Sequence, residues 1–188
     1  MRQRVMVRIH LPVFGGHMKT KMPLNEAEKI ACKYADMLMP YCERIEIAGS
    51  IRRRKAEVGD IEIVAKPLPA LDLFGSPKGY HDLSLPLPAV KNGQRYKQYA
   101  LPEGINLDLF IVLPPAQWGV IFALRTGGAE FSRKLVTAKR YGGYLPSAYV
   151  VRDGAVHRVD TGEMIPTPEE IDFFNLCELG WIKPEERN

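Results

Sequence analysis

The chain has 188 residues, 46% of them hydrophobic, enough to bury one good core divided between two small lobes. Twenty-six lysines and arginines against 22 acids give a net charge of +4, which permits a polyanionic partner without requiring one. Three cysteines with no CxxC pair exclude a disulfide framework or zinc ribbon, and four scattered histidines give no metal-ligand spacing. The start, MRQRVMVRIH, is too interrupted by charge for a signal peptide, and no apolar run reaches membrane-spanning length, so a soluble, intracellular (cytoplasmic) protein is expected.

In chain order, residues 1–22 are expected to form a basic arm or leader carrying Arg2, Arg4, Arg8, Lys19 and Lys21. From Leu24, apolar residues at helical spacing predict a first helix running to a stop at Pro40. Arg44 to Ala48 reads as a strand leading into Gly49-Ser50 and a short turn or helix with three arginines; Asp60 to Ala65 reads as the next strand. The Pro-, Gly- and Ser-rich stretch from Pro67 to Pro88 is expected to be an irregular excursion without chemistry. A hairpin around Asn92-Gly93 and a strand from Ile105 to Leu113 complete a helix plus a small mixed sheet. Beyond Pro114-Pro115, the pattern predicts helices over Trp118–Leu124 and Glu130–Tyr141 separated by Thr126-Gly127-Gly128. A hairpin around Asp153-Gly154 follows, and then a final helix opened by Thr167-Pro168.

The segment AGSIRRRKAEVGDIEIVAK, Ala48 to Lys66, mixes both signs of charge. Residues two apart on a strand share a side, so Asp60 and Glu62 project together while Ile61 and Ile63 serve the core. Adjacent carboxylates repel unless a cation lies between them, and Mg²⁺ prefers oxygen ligands. Asp108 in NLDLFIV is a third acid of the same kind, and three acids on neighbouring strands could hold two metals for an in-line phosphoryl displacement. Upstream, Gly49-Ser50 can admit a phosphate to backbone N–H groups and a hydroxyl, with Arg52, Arg53 and Arg54 adding fixed charge. No GxxxxGK[ST] pattern is present, which argues against a Walker-type ATPase. A solvated arginine run and the polar face of a strand edge are the structural alternatives.

GSIRRRKAEVGDIEIV followed by LDLFIV resembles the signature of the nucleotidyltransferase superfamily, its arginine pair pointing to the family X DNA polymerases, the group of DNA polymerase beta. The segment from Trp118 to Gly154 looks like that family's thumb, and the likeness covers roughly Leu24 to Asn188. It implies an α/β (α+β) fold, with a nucleotidyltransferase palm at 23–115 and a C-terminal thumb at 116–188. Asp60, Glu62 and Asp108 would be ligands of two Mg²⁺ or Mn²⁺ ions, Asp108 also helping to deprotonate a primer 3′-hydroxyl. Gly49, Ser50, Arg53 and Gly59 would hold the triphosphate, Arg52 less directly. Thr126, Gly127 and Gly128 would bend beside the nucleotide sugar, where a non-proline cis peptide is tolerated in such sites.

The chain departs from the family in several places. Glu62 replaces an Asp, Leu124-Arg125 replaces two aromatics at the sugar, and Ser132 and Val136 replace residues that touch nucleotide and template. On this resemblance, a palm and thumb are expected without a 5′-phosphate lyase domain or helix-hairpin-helix fingers. Arg125, Arg133, Lys134, Lys139 and Arg140 against the single acid Glu130 form a stripe suited to a DNA backbone, solvated helix surface being the alternative. The expected function is addition of dNMP from dNTP to a DNA 3′ end at a gap or nick, by a monomer. Untemplated synthesis, action on RNA or a small molecule, and an inactive DNA-binding relative are the other readings.

Overall fold

The computed structural model describes residues 21–188 and is a mixed α+β structure. The expected basic arm lies outside the described residues except for Lys21, which pairs with Glu57 at 3.2 Å.

The first helix, α1 (Leu24–Leu38), forms as predicted and turns Ala27, Ala31, Tyr34, Ala35 and Leu38 inward. That spacing, three, four, seven and eight residues apart, is one stripe of a 3.6-residue helix. A five-stranded mixed sheet lies beneath it, built from β1 (Cys42–Ile47), β2 (Asp60–Pro67), β3 (Ala89–Asn92), β4 (Tyr96–Ala100) and β5 (Asn106–Ile111) in the spatial order β1-β2-β5-β4-β3. Strands β2 and β5 are parallel; the remaining pairs are antiparallel. Between β1 and β2 the chain makes one helical turn, α2 (Gly49–Arg52), which carries the first of the three arginines.

The period-two rule sorts the sheet. Ile61, Ile63, Ala65, Leu107, Leu109 and Ile111 face α1 and are buried, so the even-numbered residues of β2 and β5 are left on the opposite side. Helix α3 (Trp118–Thr126) covers part of that opposite side, its Trp118 and Phe122 packing with Ala48, Val64 and Val112.

Helix α4 (Ala129–Val136), strands β6 (Tyr149–Arg152), β7 (Ala155–Arg158) and β8 (Met164–Ile165), and helix α5 (Glu170–Leu176) surround a second core of Phe131, Leu135, Leu145, Val156, Phe173 and Phe174. The helix predicted to reach Tyr141 ends at Val136. Thr137 is extended there, a parallel bridge joins Ala138 to Leu145, and Lys139–Tyr141 resume only as a 3₁₀ turn. Helix α5 starts on a reciprocal cap between Glu169 and Asp172, two residues after the predicted opening at Thr167.

Residues 67–88 differ from the expected excursion. They contain a small hairpin, Pro69–Leu71 with Pro77–Tyr80, and Leu83 and Leu85 return to seal the core under α1. Among the described residues, no helix is long and apolar enough to cross a membrane.

Candidate active site

The parallel pairing of β2 with β5 sets Asp60 beside Asn106, Glu62 beside Asp108 and Val64 beside Phe110. All six residues lie on the side away from α1. Asp60, Glu62 and Asp108 are half-buried, and their charges interact: burial pushes the Glu62 carboxyl up to about 7, Asp60 and Asp108 add to the rise, and Arg53 and Arg125 oppose it.

Glu62 leans toward the Gly49 turn. Gly49 has φ +60°, which an L side chain rarely adopts, and a Cβ on it would stand 1.8 Å from Glu62 Oε2. Two buried polar atoms next to this turn, Ser50 Oγ and Arg53 Nε, have no hydrogen-bond partner. Orphaned donors of this kind mark a place where a bound group completes the bonding. The chemistry of the site therefore suits an anion at Gly49-Ser50-Arg53 and a hard cation among three all-oxygen ligands. Among the described residues, no three such side chains yet stand at metal-holding geometry. Glu62 is drawn to the turn, and Asp108 is held from its other side. A Cβ added at Gly59 would meet nothing within 4 Å.

The signals for Asp108's neighbours were present but unread. Antiparallel pairing sets Gln98 opposite Asp108 and Tyr96 opposite Phe110, so YKQ in the predicted hairpin presents both polar side chains to the acids. Tyr96 Oη donates to Asp108 Oδ1 at 2.9 Å and Gln98 Nε2 donates to the same oxygen at 2.8 Å. Burial, with the bond to Asp108, pushes the Tyr96 phenol up to about 12, so it remains a donor. The Tyr96 ring stacks on Phe110 at 5.2 Å, and the Arg125 guanidinium lies 4.0 Å from the centre of the Phe110 ring. An open cavity of about 670 Å³ begins at Glu62 and Asp108 and runs past Tyr96, Phe110, Ile121 and Arg125. Arg125, expected on a DNA-binding stripe, thus sits at the mouth of the carboxylate site.

Two expected nucleotide contacts lie elsewhere. Arg52 does not reach the acids: its guanidinium lies 3.9 Å from the centre of the Phe122 ring, donates to Thr126 Oγ1 at 2.6 Å and forms a bidentate pair with Glu170 at 2.8 and 2.7 Å. Thr126 is wholly buried, its hydroxyl oxygen accepting from Arg52 and its carbonyl accepting from Arg53 at 2.7 Å. The Thr126-Gly127-Gly128 bend contains no cis peptide; among the described residues the cis bond is Pro114–Pro115. Its glycines are fixed by crowding, since a Cβ on Gly127 would meet Ser132 Oγ at 2.6 Å, while the Gly128 N–H donates to the Arg187 carbonyl at 2.7 Å.

Sequence reasoning also missed Arg187. It is fully buried, donates to Glu170 at 2.5 Å and lies 4.6 and 4.9 Å from the ring centres of Phe174 and Trp181. One carboxylate thus binds Arg52 from the first core's α2 and Arg187 from the second.

The other basic residues of the expected stripe are toward the surface and partly paired. Arg133 and Lys134 meet Glu130, Lys139 pairs with Glu178, and Arg140 lies over Tyr141. Such exposed pairs contribute little and exchange readily for phosphate.

The family model of the DNA polymerase beta thumb matches residues 122–188, which contain most of the second core. DNA polymerase lambda of Rattus norvegicus is 32% identical over 162 residues, taking in 74% of this chain and 28% of the relative. The chain spans about 28% of that relative's length, and the aligned stretch is longer than the thumb match. With this thumb match and this identity, the chain is similar to the family X DNA polymerases.

Proposed function

We propose that the chain transfers a nucleoside monophosphate from a deoxynucleoside triphosphate to a DNA 3′-hydroxyl, filling short gaps or nicks and releasing pyrophosphate. The observation that carries this reading is the joint arrangement at β2 and α2. Glu62 and Asp108 stand side by side across a parallel pair, and beside Gly49, at φ +60°, the Ser50 hydroxyl and Arg53 Nε have no hydrogen-bond partner.

Asp60, Glu62 and Asp108 would hold the divalent ions. When bound there, Mg²⁺ or Mn²⁺ supplies Lewis acidity at the attacking and leaving oxygens. The protein's own share is positioning and charge. Gly49 lets the triphosphate approach the backbone, Ser50 Oγ–H and Arg53 Nε–H donate to its oxygens, and Arg53 is held in place by its bond to the Thr126 carbonyl. Asp108 would take the proton of the 3′-hydroxyl as that oxygen attacks the α-phosphorus and the bond to pyrophosphate breaks. Arg133, Lys134, Lys139 and Arg140 supply a salt-sensitive grip on the DNA backbone.

The test is incorporation of single deoxynucleotides, with Mg²⁺, on a duplex with a one-nucleotide gap, on single-stranded DNA and on RNA. The reading expects preferred addition of the complementary nucleotide to the gap. Activity confined to single-stranded DNA or RNA would replace it with untemplated transfer, and DNA binding with no incorporation on any acceptor would replace it with a binding function.

A further inference from the structure

Both bonds that Tyr96 and Gln98 make to Asp108 end on one oxygen, Oδ1. Among the described residues, no hydrogen bond reaches Oδ2. A carboxylate offers about four lone-pair sites over two oxygens, so two donors on one oxygen fix its plane and leave the other oxygen as the open ligand.

The sheet register builds this arrangement. Gln98 is directly opposite Asp108, and Tyr96 approaches diagonally from the position opposite Phe110, where its ring is stacked.

We propose that Tyr96 and Gln98 are positioning residues of the transfer site, holding Asp108 by Oδ1 so that Oδ2 alone is presented to the cation and to the attacking hydroxyl. The proposal rests on the reading of Asp108 given above. Partners of a ligating group that are not themselves ligands commonly set metal affinity by tenfold or more.

The experiment compares the parent with Tyr96→Phe, Gln98→Met and the double variant. Tyr96→Phe keeps the ring on Phe110, and Gln98→Met keeps the side-chain length. Mn²⁺ alone is titrated into nucleotide-free protein and followed by its electron paramagnetic resonance signal; kcat and the KM for nucleotide are measured separately. The double variant is expected to bind Mn²⁺ about tenfold more weakly, with kcat falling and KM for nucleotide unchanged. Gln98→His, which restores an N–H donor, is expected to recover most of the loss. Parental Mn²⁺ affinity in a folded double variant would overturn the proposal, and so would an equal loss of nucleotide affinity, the mark of a collapsed site. Asp108→Asn separates the two levels. If it incorporates nucleotide like the parent, the proposed function fails; if it is inactive while the double variant keeps parental Mn²⁺ affinity, only the role of Tyr96 and Gln98 fails.

Discussion

Replacing Glu62 by Gln should stabilise the cation-free protein above neutral pH. The Glu62 carboxyl is pushed from 4.5 up to about 7, first by burial and then by Asp60, so the folded chain holds that proton more tightly than the unfolded chain does. Between the two values the folded state carries more protons, and stability must fall as pH rises through this window. At about 1.4 kcal/mol per pH unit, the loss approaches about 3 kcal/mol by pH 8, or roughly 6–12 °C in Tm for a chain of this size. The carboxyls of Asp82, Glu103, Glu130 and Asp160 are held below their usual values, so they titrate beneath the window. Calorimetry in chelator from pH 5 to 8, on parent and Glu62→Gln, isolates the effect by difference. The parent should lose Tm relative to the variant as pH rises, and Mg²⁺ at pH 8 should restore the parent while leaving the variant unmoved. Parallel curves for the two proteins would refute the reasoning.

Three further outcomes are expected. Gly49→Ala must place a methyl where Glu62 Oε2 now lies and adopt a positive φ, so it should cost at least about 1–2 kcal/mol in denaturant melts and abolish nucleotide incorporation. Arg187→Ala leaves Glu170 buried with one of its two arginines removed and should cost about 3–5 kcal/mol, read as a lower urea midpoint, with activity lost only through unfolding. Replacing Lys134 and Arg140 by Gln should weaken DNA binding uniformly across sequences and reduce the salt slope by about one for each charge removed, with Mn²⁺ affinity unchanged.

Period-two and period-3.6 patterns made much of this molecule legible in its sequence. The stripe of α1, the shared side of Asp60 and Glu62, and the place of Asp108 all follow from residues whose local spacing also decides their burial. What escaped reading depends on distant parts of the chain. Leu83 and Leu85 sit in a stretch whose prolines and glycines mask two core positions, because packing under α1 is decided by the fold and not by local pattern. Arg187 looks like a solvated C-terminal charge until Glu170, Phe174 and Trp181 close around it. Arg52 and Arg53 are neighbours in sequence, yet α2 sends one to Glu170 and leaves the other near Glu62, a division that needs the turn's geometry. Tyr96 and Gln98 could have been found by carrying the register of the Asn92-Gly93 hairpin one strand further, to Asp108.

The most direct measurement is single-nucleotide incorporation on gapped DNA, with Mg²⁺, by Asp60→Asn and Asp108→Asn proteins whose folding is verified by circular dichroism. The account predicts extension by the parent and loss of about a hundred- to a thousandfold in each variant, the scale on which removal of one preorganised electrostatic group acts. Extension at the parental rate by either variant would contradict it.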